Sequence, residues 1–313
     1  MTKGGFKIKR KVIQIADSTQ LVSLPRKWAL KHNIKKGDEL EIIDQGRRLL
    51  IETTGDKETE TRRKSVNLDG MEPYLKYILT SLYQKGYGEV TLKYSDEKTA
   101  NSLNKILYEE MIGFEVVEQK TNSSTIRSIA GALPSEFDTM LLRAYQIVVT
   151  MLDGIVGVLK SGNLLAIKSL TYMEVNNRKY AAFCKRMINM RVVNDENITY
   201  LYIIVVRLER LARHLKYLCY EMMKLPNEVK SLEKELFEMY NELNRMLKKS
   251  FELYNDFDMM KTLELFDRKQ KIVDRGHEFL RNNQGPQIRF IHYVFNISQG
   301  IQELARAKMQ MRL

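Results

Sequence analysis

The chain is 313 residues long, 44% apolar and 29% charged, with a net charge of +12 that favours polyanionic partners. No run approaches the roughly 18 uninterrupted apolar residues of a membrane span, and the charged first ten residues lead into no signal-like segment. A cytoplasmic protein of two or three domains, without membrane insertion, is therefore expected.

The first 64 residues carry 16 Lys and Arg against 9 Asp and Glu, a net of +7 on about a fifth of the chain. Lys7, Lys9, Arg10 and Lys11 alternate with Phe6, Ile8, Val12 and Ile13 in a strand-like run. Leu21–Leu24 reads as a short apolar strand. Pro25 suits the first turn of a helix, and Arg26–His32 allows about two turns before Asn33 and Gly37 punctuate the chain. Two strands follow, divided by Gln45 and Gly46, the second within Arg47–Thr53.

Ser23, Leu24, Pro25, Trp28 and the turn Lys35-Lys36-Gly37-Asp38 carry a resemblance to the swapped-hairpin domain of the AbrB/MazE/SpoVT family, over roughly residues 6–54. That resemblance implies a barrel interleaved from two chains, hence at least a homodimer. A segment of about fifty residues is dominated by surface and is expected to need such a partner. It also implies that the basic residues of the first strand and of the helix start face double-stranded DNA. Lys9, Lys11, Arg26 and Lys27 are thus the candidate phosphate or base-edge contacts, with Arg10 and Arg47 beside them. A solvated basic face is the alternative reading of the same charges. Trp28 is expected to anchor the helix rather than to stack on a base.

Thr54–Lys64 is polar, mixed in charge and aperiodic, so residues 55–64 read as a linker. Residues 65–133 read as a small α/β domain. It takes strands at Ser65–Leu68 and Glu89–Tyr94, helices at Pro73–Lys85 and Lys98–Met111 with Asp96 as cap, and a closing hairpin from Phe114–Glu118 to Thr125–Ala130 around Asn122 and Ser123. With 7 basic and 9 acidic residues and no phosphate loop or nucleophile elbow, it is assigned no chemistry.

From residue 134 the apolar spacing becomes helical, opening with Pro134 and a Ser135-x-x-Asp138 start signal. Six helices are expected: from Pro134 through Leu159, then Leu164–Met190, Asn197–Lys224, Glu228–Tyr254, Asp256–Arg281 and Pro286–Arg312. Glu174–Tyr180 (EVNNRKY) aligns with Glu264–Gln270 (ELFDRKQ) at an offset of 90, and Ile198 then falls over Ile288. Two tandem three-helix bundles, 134–225 and 226–313, are the economical architecture. The run Glu209, Arg210, Leu211, Ala212, Arg213, His214 on the third helix resembles the hallmark of the PhoU family. The fold class expected for the whole is multidomain and mainly α: a dimeric swapped-hairpin β-barrel at the N-terminus, a small α/β middle domain, and PhoU-like tandem three-helix bundles.

PhoU proteins hold metal clusters with acidic residues four apart on these helices, which makes Glu174, Glu209, Asp267 and Glu303 the candidate ligands here. The pattern is broken. Glu209 is followed by Arg213, Asn177 by Ala181, Asp267 by Lys271, and Glu303 is preceded by Gln299, so a cationic side chain often stands where a ligand belongs. No metal or other cofactor is expected. Glu174, Asn177, Glu209, Asp267 and Glu303 are expected instead in polar layers or ion pairs with Arg178, Arg213 and Arg268. Cys184 and Cys219 stand in no metal or redox spacing and are expected reduced and near the core; His32, His214, His277 and His292 share no motif.

The order of modules resembles archaeal regulators of phosphate uptake. This implies a non-enzymatic transcriptional regulator whose head binds promoter DNA, and whose tail senses phosphate status or docks a partner such as a phosphate-transporter ATPase. Two other readings stay open. One is a PhoU-type adaptor that inhibits a phosphate ABC transporter without binding DNA, and the other is an antitoxin, from the likeness of the head to MazE.

Overall fold

Proline and glycine punctuation sets the element boundaries of the head in the computed structural model, which describes residues 8–15, 19–44, 46–47, 49–53, 61–129, 135–193 and 195–313. Phe6 and Lys7 of the first run, Gln45, the 55–60 part of the linker, Ala130, Leu133, Pro134 and Asn194 lie outside the described residues. The chain divides into two compact units, residues 1–60 and 61–313.

In the first unit β1 (Ile13–Ile15) and β2 (Thr19–Leu21) pair antiparallel, Ile13 opposite Leu21. The helix α1 (Arg26–Lys31) follows Pro25, which has no N–H to leave unsatisfied and whose φ of −62° suits a helix start. Gly37, at φ +96°, turns the chain, and the Lys35 amide donates to the Asp38 carboxylate at 2.7 Å across that turn. β3 (Leu40–Asp44) and β4 (Leu49–Thr53) then pair antiparallel, Ile42 opposite Ile51. Two expectations shift. The basic run joins a sheet only at Ile13, and the apolar run after Leu21 has left the sheet, because pairing stops at the Ile13–Leu21 rung and a strand persists only where a partner satisfies its backbone. Among the described residues the four strands form two separate hairpins, and no closed barrel is present in the single chain.

The second unit opens with a four-stranded sheet ordered β5-β6-β8-β7, formed by β5 (Arg63–Asn67), β6 (Glu89–Lys93), β7 (Phe114–Lys120) and β8 (Ser123–Ser128). β5 starts inside the segment expected as linker. It runs parallel to β6 across α2 (Leu75–Gln84), and the other pairs are antiparallel. α3 (Glu97–Glu110) is capped as expected by Asp96, which accepts from the Thr99 amide at 3.0 Å. Leu79, Tyr83, Leu92, Leu103 and Ile126 fill the core here, together with Ala182 from the helical part.

The remaining chain is α4 (Glu136–Ser161), α5 (Ile167–Asn189), α6 (Ile198–Lys224), the short α7 (Pro226–Lys230), α8 (Lys234–Asn255), α9 (Met259–Asn282) and α10 (Ile288–Gln310). The helix expected over Glu228–Tyr254 is interrupted. Glu233 is extended, and its amide donates to the Gln287 side chain at 3.0 Å instead of continuing a helical ladder. α4, α5 and α6 pack on one another, as do α8, α9 and α10; α4 also meets α8, and α6 meets α10. α6 and α10 begin at Ile198 and Ile288, the same offset of 90. Leu141, Leu152, Leu208, Leu215, Leu243 and Ile301 belong to one continuous core, so the two sets of helices share an interior. α5 additionally lies against α2 and α3, which ties the sheet to the helices.

By length and composition α4 would suffice to cross a membrane, but half of its apolar stretch is buried inside this core. Cys184 and Cys219 are both free and fully buried, as expected of core residues, and burial pushes both thiols up to about 12. A protonated, inaccessible thiol is a poor nucleophile. Alkylation by iodoacetamide at pH 8 is therefore expected to be negligible in the native protein and complete within minutes in denaturant. Rapid labelling of either cysteine in buffer alone would contradict this packing.

Candidate nucleic-acid interface

The candidate cations of the head sit where local structure leaves them at the surface. Lys9, Arg10 and Lys11 occupy the irregular segment before β1, Arg26 and Lys27 are the first two residues of α1, and Arg47 lies in the turn before β4; all six are exposed. A helix start presents outward-pointing amides as well as side chains, so Arg26 and Lys27 stand at an end whose dipole favours anions. No acidic residue occupies that first turn. Trp28 is half-buried and packs its ring on His32, one turn on, at 5.2 Å between centroids.

Apolar side chains of the same unit are also uncovered. No described residue of the head is fully buried; Ile42 and Leu49 are 62% and 68% exposed, and Ile13, Ile15, Leu21 and Leu50 are exposed as well. Ile42 and Ile51 face each other across the β3–β4 hairpin, and Leu40, Leu49 and Thr53 lie on the same face of it, with Asp44 at its end opposite Leu49. Contiguous exposed apolar side chains of this kind are common at association surfaces.

In the helical part, three of the four acidic candidates are held by cations. Glu174, 2% exposed, accepts from Arg178 at 2.7 Å and from Lys216 at 2.9 Å. Glu209 pairs with Lys185 and, at 3.3 Å, with Arg213. Glu303 pairs with Arg207 at 3.0 Å. Asp267 is exposed on α9, and its neighbour Arg268 reaches Glu242 at 3.3 Å, so the expected pairing of Arg268 within the acidic set is corrected. Asn177 joins no ion pair; it is buried, and its amide donates to the Ala144 carbonyl at 2.7 Å. Among the described residues no three His, Cys, Asp or Glu side chains gather around a point that could hold a metal.

Between α6 and α10 a cavity of about 60 Å³ is lined by Arg207, Arg210, His214, Gln299 and Glu303. Burial first, then the charges of Arg210, His292 and Arg213, hold the His214 imidazole below its ordinary value.

Sequence reasoning missed Glu110, Lys185 and Lys216. Glu110, at the end of α3, is 1% exposed and takes Arg178 through both Nε and Nη2 and Lys76 at 2.7 Å. The four-residue spacings of Glu174 with Arg178 and of Glu209 with Arg213 were readable signals; Glu110, Lys185 and Lys216 reach their partners from distant segments of the chain.

Residues 13–59 match the family model described as antidote-toxin recognition MazE, bacterial antitoxin. The match spans β1 to β4 and stops short of Lys9–Lys11. No curated protein and no solved structure matches the chain. The chain thus carries a MazE/AbrB-like domain at its N-terminus, followed by a mainly helical region.

Proposed function

We propose that this protein is a non-enzymatic, DNA-binding transcriptional regulator whose head acts as a dimer. The carrying observation is the MazE-like head itself, which exposes basic side chains ahead of β1 and at the start of α1. Lys9, Arg10, Lys11, Arg26, Lys27 and Arg47 are the proposed contacts, the arginines being suited to guanine edges and the lysines to phosphates. The exposed apolar faces of the two hairpins support a second copy as the missing half of a barrel. On this reading the head spans 1–54 and the linker 55–64; the α/β domain spans 65–133, and the helical domain 134–313 divides at 225. The protein works in the cytoplasm.

The finer reading is regulation of phosphate uptake or homeostasis, with the helices docking a transporter ATPase or sensing phosphate status. Its support is the resemblance of Glu209–His214 to the PhoU hallmark and the offset of 90 that relates Glu174–Tyr180 to Glu264–Gln270 and the start of α6 to that of α10. Binding to upstream and transporter-promoter DNA across a salt series tests it. Selective binding whose affinity falls steeply with salt is expected, because each neutralised phosphate releases condensed counterions. Salt-sensitive binding without selectivity, or none, would favour the transporter adaptor. The family match also favours a second reading, an antitoxin, which requires a stable complex with a toxin; copurification with a neighbouring-gene product decides between the two.

Dimerisation has its own check. Sedimentation is expected to show a dimer, and Ile42→Lys to weaken it at least about tenfold, since an unpaired ammonium would enter a buried apolar face. A monomeric wild-type chain at micromolar concentration would remove the shared-barrel proposal.

A further inference from the structure

Between α5 and α6 the second unit holds a cavity of about 440 Å³ that neither the head nor the metal question accounts for. Its lining includes Lys168, Arg178 and Lys216 against one carboxylate, Glu174, an excess of two positive charges. Glu110 does not change that balance, because it lies behind Arg178 and is matched by Lys76. The guanidinium of Arg178 is committed, with Nε and Nη2 on Glu110 and Nη1 on Glu174. The two lysines are less so. Lys216 is 17% exposed at its side chain and reaches Glu174 at 2.9 Å, leaving further ammonium hydrogens for a ligand. Among the described residues no carboxylate pairs with Lys168, which is exposed at the wall of the cavity.

Two aromatic rings belong to the same lining. Tyr172 on α5 is 62% exposed and Tyr220 on α6 is 41% exposed. A buried tyrosine belongs to a core, but rings left open beside two ammonium groups offer flat faces for stacking. The volume exceeds what inorganic phosphate fills and falls in the range of small-ligand sites. Two ammonium groups as point charges suit a phosphomonoester, which carries close to two negative charges on one group at neutral pH.

We propose that this cavity binds a nucleoside monophosphate, its phosphate held by Lys216 and Lys168 and its base stacked on Tyr172 and Tyr220. Glu174 and Arg178 are positioning residues, since their mutual pair and the Glu110 contact fix the floor against which Lys216 is oriented. The site lies wholly within residues 61–313 and stands whether or not the head binds DNA.

Titration calorimetry of the full chain with adenosine monophosphate tests the proposal. Adenosine, lacking the phosphate, and inorganic phosphate, lacking the ring, are each expected to bind at least tenfold more weakly. Lys168→Glu and Tyr172→Ala change exposed side chains and leave the core intact, and each is expected to weaken binding roughly tenfold or more. Lys216→Met is expected to do the same, with an unfolding temperature measured alongside to confirm the fold. Absence of binding by adenosine monophosphate, undiminished binding in the folded Lys168→Glu variant, or equal binding of inorganic phosphate would overturn it.

Discussion

Reversing charge at the start of α1 with Arg26→Glu and Lys27→Glu is expected to reduce DNA affinity at least about a hundredfold at low salt. In the proposed dimer four cations become anions, and each lost phosphate or base contact is worth roughly 1–3 kcal/mol before repulsion is counted. The salt dependence is expected to flatten as well, because fewer counterions are released on binding. Both side chains are exposed and neither is part of the apolar faces, so dimerisation and the far-ultraviolet spectrum are expected to be unchanged. Retained binding by a folded, dimeric variant would take the helix start out of the interface and leave Lys9, Arg10, Lys11 and Arg47 to carry it.

The second large effect is expected at Glu110. Its carboxylate is 1% exposed and receives Arg178 at 2.6–2.9 Å and Lys76 at 2.7 Å, linking α3 and α2 to α5. Removing one partner of a buried pair leaves an uncompensated charge and costs about 3–5 kcal/mol. The lower end applies here, because Glu174 still holds Arg178 and Lys76 turns towards water. For a unit of this size Glu110→Ala is therefore expected to lower the unfolding temperature by roughly 6 °C. Lys76→Ala, at a side chain 40% exposed, is expected to change it by no more than a degree or two. Equal effects of the two variants would mean that solvent screens the network like a surface pair.

Much of the local structure was legible before any coordinates. Pro25 before α1, Asp96 before α3 and the glycines at the turns impose their own backbone geometry, so their consequences do not depend on distant residues. The long helices followed from apolar spacing, and the offset of 90 reappeared in the starts of α6 and α10. Strand limits were less readable, because a strand ends where its partner ends; the register of β1 on β2 removed the residues after Leu21 from the sheet. The break at Ser231–Glu233 was hidden for a similar reason, since Gln287, more than fifty residues on, takes the Glu233 amide.

The candidate site divides in the same way. The sequence by itself determined the basic head, its MazE-like order of strand, helix and hairpin, and the positions of the exposed cations, because charge and turn chemistry are local properties. Only the tertiary structure decided what the acidic residues of the helices do. Glu174, Glu209 and Glu303 could have faced a metal, solvent or a partner, and their four-residue spacings did not distinguish these outcomes. Lys216, Lys185 and Arg207 come from other turns and other helices to meet them, and Lys216 also lines the cationic cavity between α5 and α6. Electrostatic environment is set by distance in space, and in a bundle of antiparallel helices distance in space is fixed by packing rather than by separation along the chain.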